Sequence, residues 1–175
     1  MGRGSTENAV KVHTRVARLS YGWAYAPEFS SRIHDRRDRY WDDTDGICRA
    51  RNQMKWPIKR GQDISEVKPK TYAYRRSFKA SNNGIHDYRG NIYTSTEAYP
   101  SSRLNDTVTL HSVMEYKTPL PVEELTPETR NGMMIYAWYY KYKIHVSGAS
   151  LSISVISDDA KDVEVTSKSL TMETG

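Results

Sequence analysis

The sequence predicts a single α+β domain, an antiparallel β-sheet packed with a few helices, and three observations lead there. Residues 134–146 and 151–155 alternate apolar and polar with period two, as strands with one buried face do. Pro27 to Trp41 places Phe29, Ile33, Tyr40 and the stems of Arg36 and Arg37 near one stripe, which reads as a helix. At 175 residues the chain is long enough for one core and short for two.

In chain order, residues 1–8 read as a flexible arm, 9–167 as the domain and 168–175 as a frayed tail. The first strand, Ala9 to Leu19, sets Val10, Val12 and Val16 against Lys11, His13 and Arg15. The helix opens at Pro27, pairs Asp35 with Arg39 and stops at the Asp42–Gly46 turn. Ile47 to Lys79 is weakly patterned and reads as mostly loop, with a short strand near Tyr72 to Phe78. Asn82-Asn83-Gly84 and Arg89-Gly90-Asn91 read as turns, and the chain on to Pro100 as a loose, mobile loop. The next strand, Thr107 to Tyr116, puts Val108, Leu110, Met114 and Tyr116 on one face. Pro119 to Arg130 is a connection in which Thr126-Pro127-Glu128 opens a short helix.

A meander follows. Trp138, Tyr140, Tyr142, Ile144 and Val146 share a face, and Ser147 to Ser150 makes a turn. Leu151, Ile153 and Val155 then alternate with serines, Asp158 to Asp162 turns again, and Val163 and Val165 begin the last strand.

The composition points to binding. Hydrophobic residues are 37% of the chain and charged residues 27%, which predicts a thin core. The aromatics are 13 Tyr and 4 Trp against 2 Phe, rings suited to surfaces that are part apolar and part wet. Residues 1–79 hold 18 Lys+Arg against 9 Asp+Glu, whereas residues 80–175 hold 8 against 12. One half therefore suits an anionic partner, and the two halves suit head-to-tail self-association. The candidates for the anionic partner are Lys11, Arg15, Arg32, Arg36, Arg37, Arg39, Arg49, Arg51, Arg75 and Arg76, with aromatics such as Trp23, Tyr40 and Tyr74 interleaved. Such a pattern fits single-stranded RNA, whose bases stack on rings, and fits an anionic membrane face equally well. For self-association the candidates are Tyr139, Lys141 and Lys143, on the face of their strand opposite Trp138 and Tyr140.

Catalytic chemistry finds little footing. Asp42-Asp43-Thr44-Asp45-Gly46 resembles part of a calcium loop, but counting from Gly46 places Trp41 and Asn52 at essential ligand positions. Asp35, Asp38 and Asp42 could gather a hard cation, yet Arg32, Arg36, Arg37 and Arg39 lie among them. The five His lack metal-ligand spacing, and Cys48 is the only cysteine. The expectation is a binding protein and not an enzyme, with no cofactor and no metal. The longest charge-free run, Ile144 to Ser157, is 14 residues, short of a membrane span. Met1-Gly2-Arg3-Gly4-Ser5-Thr6 fits the N-myristoylation pattern.

Gly148 to Asp159, with Leu151, Ile153, Val155 and the Asp158-Asp159 turn, resembles a strand-and-acidic-turn stretch of rhabdovirus matrix proteins. Tyr140-Lys141-Tyr142-Lys143 and the connection Thr118 to Arg130 precede it in the order that family has. Size and basic character are similar to the short matrix proteins of plant-infecting cytorhabdoviruses. Two features depart: the chain lacks a Pro-Pro-x-Tyr motif, and only Arg3 is cationic before Lys11. The resemblance implies an α+β fold, self-association, condensation of the viral nucleoprotein–RNA complex and binding to the inner face of the envelope. It implies a place in the virion beneath the envelope and in the host cytoplasm. A small viral nucleic-acid-binding protein, either a coat protein or a silencing suppressor, is the alternative.

Overall fold

The computed structural model describes residues 14–159 and 161–175. The expected arm, Lys11, the Gly2 pattern and residues 9–13 of the expected Ala9–Leu19 strand lie outside that range, and its described part, 14–19, holds isolated bridges at Val16 and Ala17 instead of a strand. Within it the fold is all-β, with no helix of seven or more residues, which corrects the α+β expectation. The eleven strands are β1 (Ser20–Tyr25), β2 (Arg39–Asp42), β3 (Ile47–Ala50), β4 (Gln53–Ile58), β5 (Lys70–Lys79), β6 (Asp87–Ser95), β7 (Thr109–Lys117), β8 (Thr126–Arg130), β9 (Met133–Ser147), β10 (Ser150–Ser157) and β11 (Val163–Thr171).

The predicted helix over 27–41 gives way to a turn, a single 3-10 turn at Arg36–Asp38 and then β2. Its intended stripe has nothing to pack on, since Ile33 is 78% exposed. A helix of that length draws its stability from a buried face. Its charges are also claimed elsewhere. Asp38 is buried, and the Arg103 guanidinium grips both its oxygens at 2.7 Å while the Gln53 amide donates to it at 3.1 Å. Asp35 takes Arg37 at 2.7 Å in place of Arg39.

Three antiparallel sheets result: β4-β1-β6-β7, β11-β10-β9-β5 with β8 also on β9, and the β2-β3 hairpin. The first two face each other as a sandwich. β9 is its spine, pairing β5 along one side from Ile135 to Ile144, and β8 then β10 along the other. Period two carries Tyr72, Tyr74, Arg76 and Phe78 of β5 onto the inner face beside Tyr142, Tyr140, Trp138 and Tyr136 of β9. Trp138 stacks on Tyr140 at 4.5 Å, and its indole donates to the Ser157 hydroxyl at 2.9 Å. From the opposite sheet Trp23 meets Tyr142 at 5.0 Å, and Tyr88 and Tyr116 meet Trp138 at 6.0 and 6.1 Å. Offset and edge contacts of this kind add to the area they bury. The meander β9–β10–β11 and its buried face run as the alternation predicts.

Other expectations are corrected. Arg89-Gly90-Asn91 lies inside β6, not in a turn. Gly90 is there because a Cβ would stand 2.9 Å from the Tyr142 hydroxyl, and glycine in a strand marks such close approach. The supposed loop at 47–79 contains β3, β4 and a ten-residue β5. The chain up to Pro100 is strand as far as Ser95, and the turn after it is stitched to β4 by Met54 N–H to Ser102 C=O at 2.9 Å. Residues 126–130 form β8, not a helix. The register shift between Ile92 and Tyr93 adds a residue on β7, so Leu110 is 52% exposed while Met114 and Tyr116 stay buried. The tail is held too, for β11 runs to Thr171 and Met172 is buried.

Candidate binding cleft

A cleft of about 760 Å³ opens where two strands of the first sheet part. β1 pairs β6 only over Ser20–Trp23 with Ile92–Ser95, then stays with β4 as far as Tyr25. β6 continues on β7 down to Asp87. Among the described residues, 87–91 therefore have no strand partner on the β1 side. Through this gap the aromatic inner face of the second sheet is reached: Tyr74 and Arg76 from β5, and Tyr140 and Tyr142 from β9. The diverging end of β1 at Tyr25, Arg89 to Asn91 of β6 and Tyr40 of the β2-β3 hairpin form its rim.

The hairpin is fastened at its tip, where Gly46 has φ 65° and closes the turn. Asp45, 5% exposed, accepts from Ser77 at 2.6 Å, from Arg75 at 2.8 Å and from Arg49. Burial alone would raise its carboxyl, but those three donors outweigh burial and hold it at about 2. Arg49 also takes Asp42 at 2.7 Å, and Arg75 takes Glu128 at 2.9 Å. The run that suggested part of a calcium loop is thus a hairpin turn bound to guanidinium groups, and no metal-ligand cluster occurs among the described residues.

These ion pairs leave the cleft arginines with different roles. Arg49 and Arg75 are neutralised by carboxylates. Arg89 faces Glu115 at 3.2 Å in full solvent, where a pair holds weakly. Arg76 has no carboxylate within 4 Å among the described residues, although it occupies an inward position between Tyr74 and Phe78. Its guanidinium lies 4.1 Å from the centre of the Tyr88 ring, and its head is open to the cleft. Burial pushes the Tyr74, Tyr116 and Tyr142 phenols up, so at neutral pH they serve as neutral hydrogen-bonding rings. The Trp23 indole donates to the Tyr74 hydroxyl at 2.5 Å, which fixes the ring in the wall. Among the described residues the arrangement brings together one cation without a carboxylate partner, flat rings and backbone groups without a strand partner in one concavity.

The remaining candidates fall in three places. Arg32, Arg36, Arg37, Arg39 and Arg51 are exposed on the lobe formed by residues 28–51. Arg39 and Trp41 alternate onto the outer face of the hairpin, where Trp41 is 58% exposed, while Tyr40 and Asp42 face the cleft. Arg15 is exposed beside the Gly148 turn, far from that lobe in sequence. Of the self-association candidates, Tyr139 is half-buried, donates its hydroxyl to Glu128 and lies 5.9 Å from the Arg75 guanidinium. Lys141 is paired with Asp158 at 2.9 Å, and Lys143 is exposed without a carboxylate partner among the described residues.

Sequence reasoning did not find Gly90, Arg89 or Tyr116 as parts of a cleft. The signal was present in Gly90 inside alternating residues, since Tyr88, Gly90 and Ile92 share parity. The chain matches no protein-family model, no curated protein and no solved structure.

Proposed function

We propose that the protein is a matrix-like assembly protein that bridges two anionic partners, the RNA of a nucleoprotein complex and the inner face of a membrane. The observation that carries this reading is the two-faced hairpin. Its inner side, with Tyr40, helps line the aromatic cleft, while its outer side presents Arg39 and Trp41 beside Arg36, Arg37 and Ile33 on the same lobe. Exposed cations around exposed apolar tips suit an anionic bilayer, where each cation near the surface adds about 1 kcal/mol. A concave cleft with rings and a free guanidinium suits an unstacked strand, which a flat bilayer is not. Self-association completes the reading, with the protein lying beneath the envelope in the virion and in the cytoplasm of the host cell.

Flotation tests it. Phosphatidylserine vesicles, fluorescent single-stranded RNA and the protein are mixed, and RNA is expected to float only when protein is present. The variant Ile33→Ser/Trp41→Ser/Arg39→Glu is expected to lose flotation and keep RNA binding. Mutual exclusion of vesicles and RNA on the wild-type protein would overturn the bridging role. Binding of RNA without vesicles would leave the nucleic-acid-binding alternative.

A further inference from the structure

Building on RNA as the partner, we infer that the cleft takes one nucleotide unit of a single strand, its base against the tyrosines and its phosphate on Arg76. Five features of the structure converge on this. Arg76 is the cation of the cleft that no carboxylate satisfies among the described residues, at a strand position whose same-face neighbours Tyr74 and Phe78 and cross-strand partner Trp138 are aromatic. A guanidinium open to the cleft is free to take an anion, and its fork matches phosphate oxygens. The Tyr88 ring lies 4.1 Å from the guanidinium and holds it beside the cleft. Half-buried Tyr74 offers a ring next to it, backed at 5.8 Å by the buried ring of Tyr140. The unpaired backbone groups along Arg89–Asn91 supply donors and acceptors for a base edge. The volume, about 760 Å³, falls in the range of small-ligand clefts and is far too small for a duplex.

The ligand class follows from what is paired and what is free. Phosphate alone would leave the rings unused, and a nucleoside alone would leave Arg76 unsatisfied. A 5′-mononucleotide engages both.

Saturation-transfer NMR on the full chain tests this, with uridine 5′-monophosphate, uridine and inorganic phosphate as separate probes. The mononucleotide is expected to bind, with transfer strongest at the base protons, and at least tenfold more tightly than either half. Arg76→Leu and Arg76→Gln are expected to weaken it tenfold or more, and Arg76→Lys less. Thermal melts of the three variants establish that each is folded. The same proteins are titrated with a single-stranded RNA 20-mer. If the 20-mer binds the wild type and all three Arg76 variants alike while mononucleotides do not bind, the cleft assignment falls and the RNA reading stands on the exposed lobe. If neither binds, both fall. Binding of an extended peptide along β6 in place of the nucleotide would also overturn the assignment.

Discussion

The hydroxyls of Tyr116 and Tyr142 meet at 3.1 Å across the two sheets, a polar contact at the centre of an aromatic core. Each hydroxyl is the other's protein partner, and both residues are largely buried. Tyr142→Phe is expected to cost about 1–2 kcal/mol by stranding the Tyr116 hydroxyl. Tyr140→Ala, which removes the ring stacked on Trp138, is expected to cost about 3–5 kcal/mol. Urea melts of both variants check the order.

Asp45 joins the hairpin to β5, and its removal leaves Arg49 with Asp42 alone and Arg75 with Glu128 alone. Asp45→Asn is expected to destabilise by about 1.5–3 kcal/mol, the range for hydrogen bonds to charged groups. The wild-type protein should show the same contact in its acid response. The carboxyl is lowered from 3.8 to about 2 on folding, so its contribution is present above pH 3.8 and is lost as pH falls toward 2. The shift amounts to roughly 2 kcal/mol, and acid melts of wild type against Asp45→Asn should converge over that interval.

Charge reversal on the lobe tests the outer surface. Arg36→Glu/Arg37→Glu/Arg39→Glu is expected to weaken binding to phosphatidylserine vesicles and to flatten its salt dependence. Cosedimentation from low to high salt measures both, and unchanged affinity at low salt would remove this surface from the account.

Association of nuclease-treated protein is expected to rise with concentration and to fall with salt, since the basic and acidic halves complement each other. Sedimentation velocity across a concentration series reads it. Tyr139→Phe removes only the hydroxyl held by Glu128 and should cost about 1 kcal/mol of stability, while Lys143→Glu should reduce association without a change in melting.

Gly90→Ala places a methyl group against the Tyr142 hydroxyl and the Met114 side chain, at 2.9 and 3.1 Å. Overpacking of this kind costs about 1–3 kcal/mol, and a melt alongside the Tyr142→Phe/Gly90→Ala double variant, where the clash is relieved, should recover part of it.

The second half of the chain was legible because its pattern is strict. From Trp138 to Ile144 every other residue is buried, and Leu151, Ile153 and Val155 repeat this on the next strand. The first half was not, for two physical reasons. The apolar residues of 27–41 suggested a helix, but their fate was decided by Arg103, 65 residues beyond Asp38, and no local pattern encodes that pair. In β4 the pattern is broken by Pro57 and by a register shift opposite Tyr21 and Trp23, so the strand lacked clean alternation. Of the candidate site, the interleaving of cations and rings was visible. Which cations are free was not, because Arg75 and Arg76 are adjacent in sequence and face opposite sides of one strand.

The parting of β1 from β6 also bears on solubility. A bare strand edge ordinarily invites a neighbouring molecule to extend the sheet, and repeated extension leads to aggregates. Here the bare stretch at 87–91 is flanked by the β2-β3 hairpin and the end of β1, and it carries Asp87 and Arg89. The protein thereby keeps hydrogen-bonding backbone accessible to something slender without offering a seed for uncontrolled growth.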